Sequence, residues 1–405
     1  MKTNNVLFPS QKTTTFQFID LFAGIGGFRL ALQNLGGTCV FTSEWDENAK
    51  KTYEINFGEK PLGDISKSEI KSVIPKNFQV LCAGFPCQPF SKGGHQNGFE
   101  DTRGTLFFDI CEIVKIHKPE FLLLENVSNL VTHDHGNTYK VILKNLNELG
   151  YYFPEKPLII SPDKFGIPIL RPRVYIPCVR KDLATKKEQK IINIQVELEK
   201  NYVKQIDSID SIIDDSILDR ISDYEEKILK MWNEFYHGID LKIIGFPIWM
   251  ECFKYDKNLE DLPLWKSKII QKNIDLYQRN KKFINKWLVE YDNLDWCVKT
   301  HRKMEWQAGG QYNSIFDCLI QFRTSGIRIK RPDKFSTLVA MNHQQIIGKL
   351  HRKITVNESK LLQSFPKQYV LSDSTSISMK QLGNSVNVKV VETIFAIILK
   401  EFYTN

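Results

Sequence analysis

Between Phe16 and about Arg180, short apolar runs alternate with amphipathic stretches of helical length. The runs are Phe16 to Asp20, Thr38 to Thr42, Val80 to Ala83, Phe121 to Leu124 and Arg173 to Ile176. Each is strand-length and apolar almost throughout, which suits a parallel sheet covered on both faces better than a sheet with one solvated side. Gly27 to Leu35 and Phe107 to His117 have helical spacing. This order predicts a doubly wound, Rossmann-like α/β domain. From about Asp182 the texture changes to helical runs of Lys, Glu, Ile, Asn and Asp, and then to tryptophans and basic residues from Met231 to Lys330. A second, smaller domain is expected there. The tail, Asn387 to Phe402, is again an amphipathic helix that would pack back on the first domain. The boundaries drawn are 1–184 with 376–405 for the first domain and 185–375 for the second.

A chain of 405 residues with 42% hydrophobic residues has material for two buried cores. It contains no run of 18 or more apolar residues, and Met1 to Thr15 lacks the charged-then-apolar order of a secretory signal. A soluble, cytoplasmic protein without membrane contact is expected. The eight cysteines, at 39, 82, 87, 111, 178, 252, 297 and 318, form no Cys-x-x-Cys pair and no zinc-spaced cluster, so neither disulfides nor a metal are expected. The formal net charge of +8 favours a polyanionic partner, and its distribution says more. Residues 266–330 hold thirteen Lys/Arg against six Asp/Glu, whereas 181–265 is balanced or acidic. A nucleic-acid surface and a merely solvated helical face both fit that excess.

The first strand runs directly into Asp20-Leu21-Phe22-Ala23-Gly24-Ile25-Gly26-Gly27-Phe28, a glycine-rich turn before a helix. Such a turn lets the backbone approach a ligand, and the helix start offers free N–H groups. The Gly-x-Gly-Gly spacing departs from the Gly-x-Gly-x-x-Gly dinucleotide fingerprint and argues against a nicotinamide enzyme. About twenty residues on, the next strand ends at Glu44-Trp45, a carboxylate for ribose hydroxyls and an indole for an adenine face. Asp64 is either a contact to the adenine amino group or simply a turn residue. The strand at Val80 exits into Gly84-Phe85-Pro86-Cys87-Gln88-Pro89-Phe90-Ser91, where two prolines bar strand or helix and hold the thiol on a rigid loop. Cys87 therefore has the setting of a nucleophile rather than of a core cysteine such as Cys82. Another strand delivers Glu125-Asn126-Val127 to the same sheet edge, where a carboxylate either pairs with a cation or does acid/base work. Arg171 and Arg173, flanking Pro172, offer that cation.

These motifs, in this order, resemble the cytosine-C5 DNA methyltransferase family across almost the whole chain. Asp20 to Arg29 is similar to the family's cofactor glycine motif, Gly84 to Ser91 to its Pro-Cys loop and Glu125-Asn126-Val127 to its Glu-Asn-Val. Gln381-Leu382-Gly383-Asn384-Ser385-Val386 resembles the closing motif. The resemblance implies an S-adenosylmethionine-dependent methyltransferase sheet with a target-recognition domain, acting on cytosine flipped out of double-stranded DNA. It implies catalytic roles for Cys87, Glu125, Arg171 and Arg173, with Arg173 orienting Glu125 and Arg171 holding the pyrimidine O2. Cofactor contacts are implied at Phe22, Gly24, Gly26, Gly27, Glu44, Trp45, Asp64, Pro86, Asn384 and Ser385. A bacterial modification enzyme, monomeric and paired in function with a cognate restriction endonuclease, is the implied context.

The run from Lys92-Gly93-Gly94-His95 to Gly104 reads as a lid over the flipped base or as an ordinary surface loop. One departure from the family pattern is Ile169, where the family usually has Gln two residues before the first arginine. In the recognition region, the tryptophans at 232, 249, 265, 287, 296 and 306 suit a core better than base contacts. Lys281, Lys282, Lys286, Arg302, Lys303, Arg323 and Arg328 are candidates, as a group, for phosphate or base-edge contacts. Three rivals stand beside this reading. They are the RNA-directed branch of the same superfamily, disfavoured by the long insert from 182 to 330, a silent DNA-binding relative and a nucleotide-dependent oxidoreductase.

Overall fold

The computed structural model describes residues 7–8, 15–86, 106–184, 187–241, 244–339 and 344–402. Cys87 and the glycine-rich run 92–104 lie outside the described residues. The chain divides into two compact units, one of Met1–Asp207, Thr337–Met341 and Ser359–Asn405, the other of Ser208–Ser336 and Asn342–Glu358. The stretches 185–207, 337–341 and 359–375, expected in the second domain, thus group with the first. Ile194 and Leu198 of the helix Ile194–Glu199 are buried, and that helix meets the carboxyl-terminal helix Val388–Phe402.

In the first unit the apolar runs become β1 (Phe16–Leu21), β2 (Gly37–Ser43), β3 (Val80–Gly84) and β4 (Phe121–Val127). They are followed by β5 (Tyr151–Tyr152), β6 (Leu158–Ile160), β7 (Ile169–Leu170) and β8 (Arg173–Arg180). The sheet order is β2-β1-β3-β4-β8-β5, with β6 also paired to β8. The pairs β1/β2, β1/β3 and β3/β4 are parallel. Their side chains are buried on both faces, as the unbroken apolar runs require. Successive strands leave β1 in opposite directions, so the sheet has its switch point at the carboxyl ends of β1 and β3, where open α/β sheets bind ligands. Helix α1 (Gly27–Asn34) returns the chain from β1 to β2, and α2 (Glu47–Phe57) follows β2.

Strand β8 runs antiparallel to β4, β5 and β6. Its apolar run does not reveal this, because burial on both faces is the same for either direction. The reversal has a consequence for the site: the start of β8 meets the end of β4, with Val127 opposite Arg173 and Glu125 opposite Tyr175. The segment 375–402 is apolar enough over an 18-residue window to pass for a membrane span, and 61% of that window is buried in the protein. It consists of two helices, Thr375–Asn384 and Val388–Phe402.

The second unit has its own core. A six-stranded sheet, built largely from Lys303–Gln307, Leu319–Arg323 and Gly326–Lys330, packs in one hydrophobic cluster with the helices Asp223–Gly238 and Lys281–Glu290. Trp232, Trp287 and Trp306 are buried in it, with the first two indoles donating to the carbonyls of His301 and Met231. Trp265, by contrast, is exposed. Arg352 and Glu358 form a buried pair at 2.6 Å, and the Arg352 guanidinium also donates to the carbonyl of Asp214.

Candidate active site

The glycine turn after β1 is held in an uncommon backbone shape. Phe22, Gly24 and Gly26 have φ of 57°, 55° and 81°. At Gly26 a side chain would be strained by φ and blocked by space, since a Cβ would come within 2.4 Å of the Phe57 ring. At Gly27 it would lie 2.7 Å from Val386 and 2.9 Å from the Ser385 hydroxyl. This close approach brings the start of α1 against the Ser385 segment, joining the first and last of the predicted cofactor motifs. Gly26 caps α1 without a side-chain hydrogen bond. Tyr369, which the sequence did not single out, supports the turn from below by donating its hydroxyl to the Ile25 carbonyl.

Glu44 directly follows β2 with its carboxylate already organised. Oε2 accepts from the Gly24 amide at 2.7 Å, and Oε1 accepts from the amides of Trp45 and Asp46, each at 2.8 Å. A carboxylate has about four acceptor sites, so this still leaves one on Oε2 for a ligand hydroxyl. The neighbouring Trp45 is 77% exposed, an indole with a free face beside the turn. Asp64 Oδ1 accepts from the Ser66 amide at 2.9 Å, which is the turn-forming contact. Asn384 is exposed on the last turn of its helix, and Ser385 is buried. The glycine cradle, the oriented carboxylate, the free indole and the helix start fit a nucleoside with a charged tail such as S-adenosylmethionine.

At the carboxyl ends of β3 and β4 lies the second half of the site. Arg173 Nε is 3.2 Å from Glu125 Oε1, both side chains being nearly buried. This diagonal contact exists because β8 is antiparallel and Arg173 falls on the same sheet face as Glu125. Burial pushes the Glu125 carboxyl above the usual carboxylate range, against the opposing pull of Arg173 and Arg171. Asn126 donates from Nδ2 to the Phe85 carbonyl at 2.9 Å and accepts the Val127 amide on Oδ1. It therefore fixes the chain immediately before Pro86, which is exposed and adjoins Cys87.

The structure does not bring Arg171 to Glu125 as a hydrogen-bond partner. Arg171 is 2% exposed and donates to the carbonyls of Leu338, Gly383 and Ser385 at 2.7–2.8 Å, while its own amide donates to the Ser161 hydroxyl. Its guanidinium ties the closing motif to the start of β8 through these backbone carbonyls. The two arginines thus have different partners, backbone carbonyls for Arg171 and the Glu125 carboxylate for Arg173. Ile169 is fully buried, an apolar core position in place of the hydrogen-bonding residue that the family usually has there.

The chain matches the family described as C-5 cytosine-specific DNA methylase over residues 16–400. It is 33% identical over 384 residues to the Type II methyltransferase M.HhaI of Haemophilus parahaemolyticus, covering 95% of this chain and 94% of that one. It is 60% identical to the Type II methyltransferase M.HpaII of Haemophilus parainfluenzae over 162 residues, a local match spanning 40% of this chain and 45% of that one. The chain belongs to the cytosine-C5 DNA methyltransferase family. As a member it is an enzyme that methylates cytosine in DNA, and S-adenosylmethionine is its methyl donor. Among solved structures, the S. pombe Dnmt2 methyltransferase superposes with a TM-score of 0.50 at 17% identity, over 96% of this chain and all of that one, a likeness of fold.

Proposed function

We propose that this methyltransferase flips a cytosine from duplex DNA, adds Cys87 to its C6 and directs methylation to C5. The observation that carries the proposal is the Arg173–Glu125 pair standing at the sheet edge beside the Phe85 carbonyl that Asn126 holds, one residue before Pro86-Cys87. C5 of cytosine is a poor nucleophile until the ring's aromaticity is broken, which covalent addition at C6 achieves. The seven cysteines among the described residues are buried and unpaired, and burial pushes thiols such as Cys39 and Cys111 up to about 12. They are poor nucleophiles, which leaves Cys87.

Glu125, with its carboxyl raised toward the neutral form, is suited to donating a hydrogen bond to cytosine N3 as negative charge develops in the ring. Its other oxygen accepts from the exocyclic amine. Arg173 positions that carboxyl. Arg171 acts through the backbone it holds. S-adenosylmethionine, when bound, supplies an electrophilic methyl group. Glu44 and Trp45 would hold its ribose and adenine, with Phe22, Gly24, Gly26, Gly27, Asp64, Pro86, Asn384 and Ser385 around them. A stacked base cannot reach these groups, so extrusion from the duplex is part of the reading, at a cost of a few kcal/mol. The second unit is the target-recognition region, the enzyme acts as a monomer in the cytoplasm, and its product protects DNA from a cognate restriction endonuclease.

The test is incubation with tritiated S-adenosylmethionine and duplex DNA of mixed sequence, followed by base-by-base mapping of 5-methylcytosine. Methylation confined to one short motif and abolished by Cys87→Ser supports the proposal. Label spread over cytosines without regard to sequence, or label unaffected by the substitution, contradicts it.

A further inference from the structure

The central strands of the second unit have two unlike faces. Met304, Trp306, Ile320, Ile327 and Ile329 point into the core. On the alternate positions stand Glu305, Gln307, Gln321, Arg323, Arg328 and Lys330, brought level by the register that sets Glu305 and Gln321 on either side of Arg328. Glu305 is the hub of this face. Its Oε2 accepts from Arg328 Nε at 2.9 Å and lies 3.5 Å from Arg323 NH1, while Oε1 accepts from Gln307 at 2.5 Å.

One carboxylate therefore serves two guanidiniums, with Lys330 two residues along the same strand. All three of the ion-pair side chains are only about a third exposed, at 26% for Arg328, 30% for Arg323 and 35% for Glu305. Burial and the neighbouring Arg328 push the Arg323 guanidinium down, and burial does the same to Lys330. Two like charges half-desolvated around a single acid are unfavourable in the free protein, and an acceptor-rich ligand would relieve them. Arg328 commits only Nε to Glu305, and among the described residues its two terminal nitrogens have no partner.

Building on the function proposed above, we infer that Arg328 and Arg323, oriented by Glu305, read a guanine edge in the major groove of the substrate duplex. The chemistry favours a base edge over phosphate. A guanidinium fixed on a rigid strand presents two parallel N–H groups to guanine O6 and N7, whereas a phosphate contact needs no orienting acid and is weakened by one. Arg328 and Arg323 are specificity-determining residues in this arrangement, and Glu305 is a positioning residue.

The experiment measures methylation and binding by the full-length enzyme on a duplex carrying its mapped motif, with each guanine in turn replaced by 7-deazaguanine, which lacks N7. One replacement is expected to lower kcat/KM by about ten- to a hundredfold in the wild type. In Arg328→Ala or Arg323→Ala the same replacement should cost little more than a factor of two, because the contact is already gone. Glu305→Gln, which keeps the shape of the hub, should weaken discrimination at that guanine while leaving affinity for motif-free DNA undiminished. The inference is overturned if no 7-deazaguanine position matters. It is equally overturned if the arginine variants lose affinity uniformly for all sequences with a shallower salt dependence, the mark of phosphate contacts. A failure of the function itself would look different: no motif would be methylated at all.

Discussion

Trp45 and Arg171 illustrate opposite fates of residues that carry a motif. Trp45 contributes almost nothing to packing, being 77% exposed, yet stands beside the glycine turn and Glu44. Trp45→Ala should leave the melting temperature unchanged and weaken binding of S-adenosylhomocysteine by about three- to tenfold, the worth of a stacked aromatic, as titration calorimetry would record. Arg171 is the reverse case. Its removal takes a donor from the buried carbonyls of Leu338, Gly383 and Ser385, of which Ser385 keeps only Gln363, so Arg171→Ala should destabilise the first unit by about 3 kcal/mol, read from the shift in denaturant midpoint. Lysine should not rescue it, because one ammonium cannot reproduce a planar fork spanning carbonyls at 338, 383 and 385. A midpoint unchanged in Arg171→Ala, with loss of methylation alone, would instead return Arg171 to a direct role on substrate.

Strands and turns explain what was legible from the sequence. The five apolar runs became β1 to β4 and β8 because full burial on both faces leaves an unbroken signal, and each observed strand extends its run by a residue or more. Strand direction left no such signal, and so the Arg173–Glu125 contact was legible as chemistry while its origin in an antiparallel β8 was not. Arg171 and Arg173 look equivalent in a string of letters. The carbonyls awaiting Arg171 separate them, and those carbonyls lie more than 160 residues away. Asn126 and Tyr369 support the site through backbone carbonyls, contacts that carry no sequence signature of their own.

Strand β1 also holds a group whose behaviour depends on pH. Asp20 is fully buried with neither oxygen hydrogen-bonded among the described residues, and burial, opposed by Arg29, pushes its carboxyl up to about 8. A raised folded pKa means that the folded state holds a proton the unfolded chain has lost. Stability from this group is thus present at pH 4 and declines as pH rises toward 8. Asp20→Asn should flatten that decline, so its melting temperature should fall less than that of the wild type between pH 5 and pH 8. An identical fall in both proteins would remove Asp20 from the account.

At the scale of the whole molecule, the chain folds into two units with separate cores. The first unit contains the glycine turn, Glu125 and Arg173, and the second carries a sheet with one apolar and one charged face. The change of texture near Asp182 suggested a boundary there, whereas the chain crosses between units at 208, 337, 342 and 359, where composition does not change abruptly. The basic excess between 266 and 330 resolves similarly: much of it solvates helices, while Arg323 and Arg328 gather around Glu305.

The central claim is covalent addition of Cys87 to cytosine. It is tested most directly with a duplex whose target cytosine carries fluorine at C5, in the presence of S-adenosylmethionine. Addition at C6 and methylation at C5 can proceed, but the step that normally expels the C5 proton cannot, so the Sγ–C6 bond should persist. The expected result is a denaturation-resistant complex of one protein and one duplex, with the adduct on the peptide containing Cys87 and none formed by Cys87→Ser. Methyl transfer to ordinary cytosine without any such complex on the fluorinated duplex, or an adduct on another residue, would contradict the account.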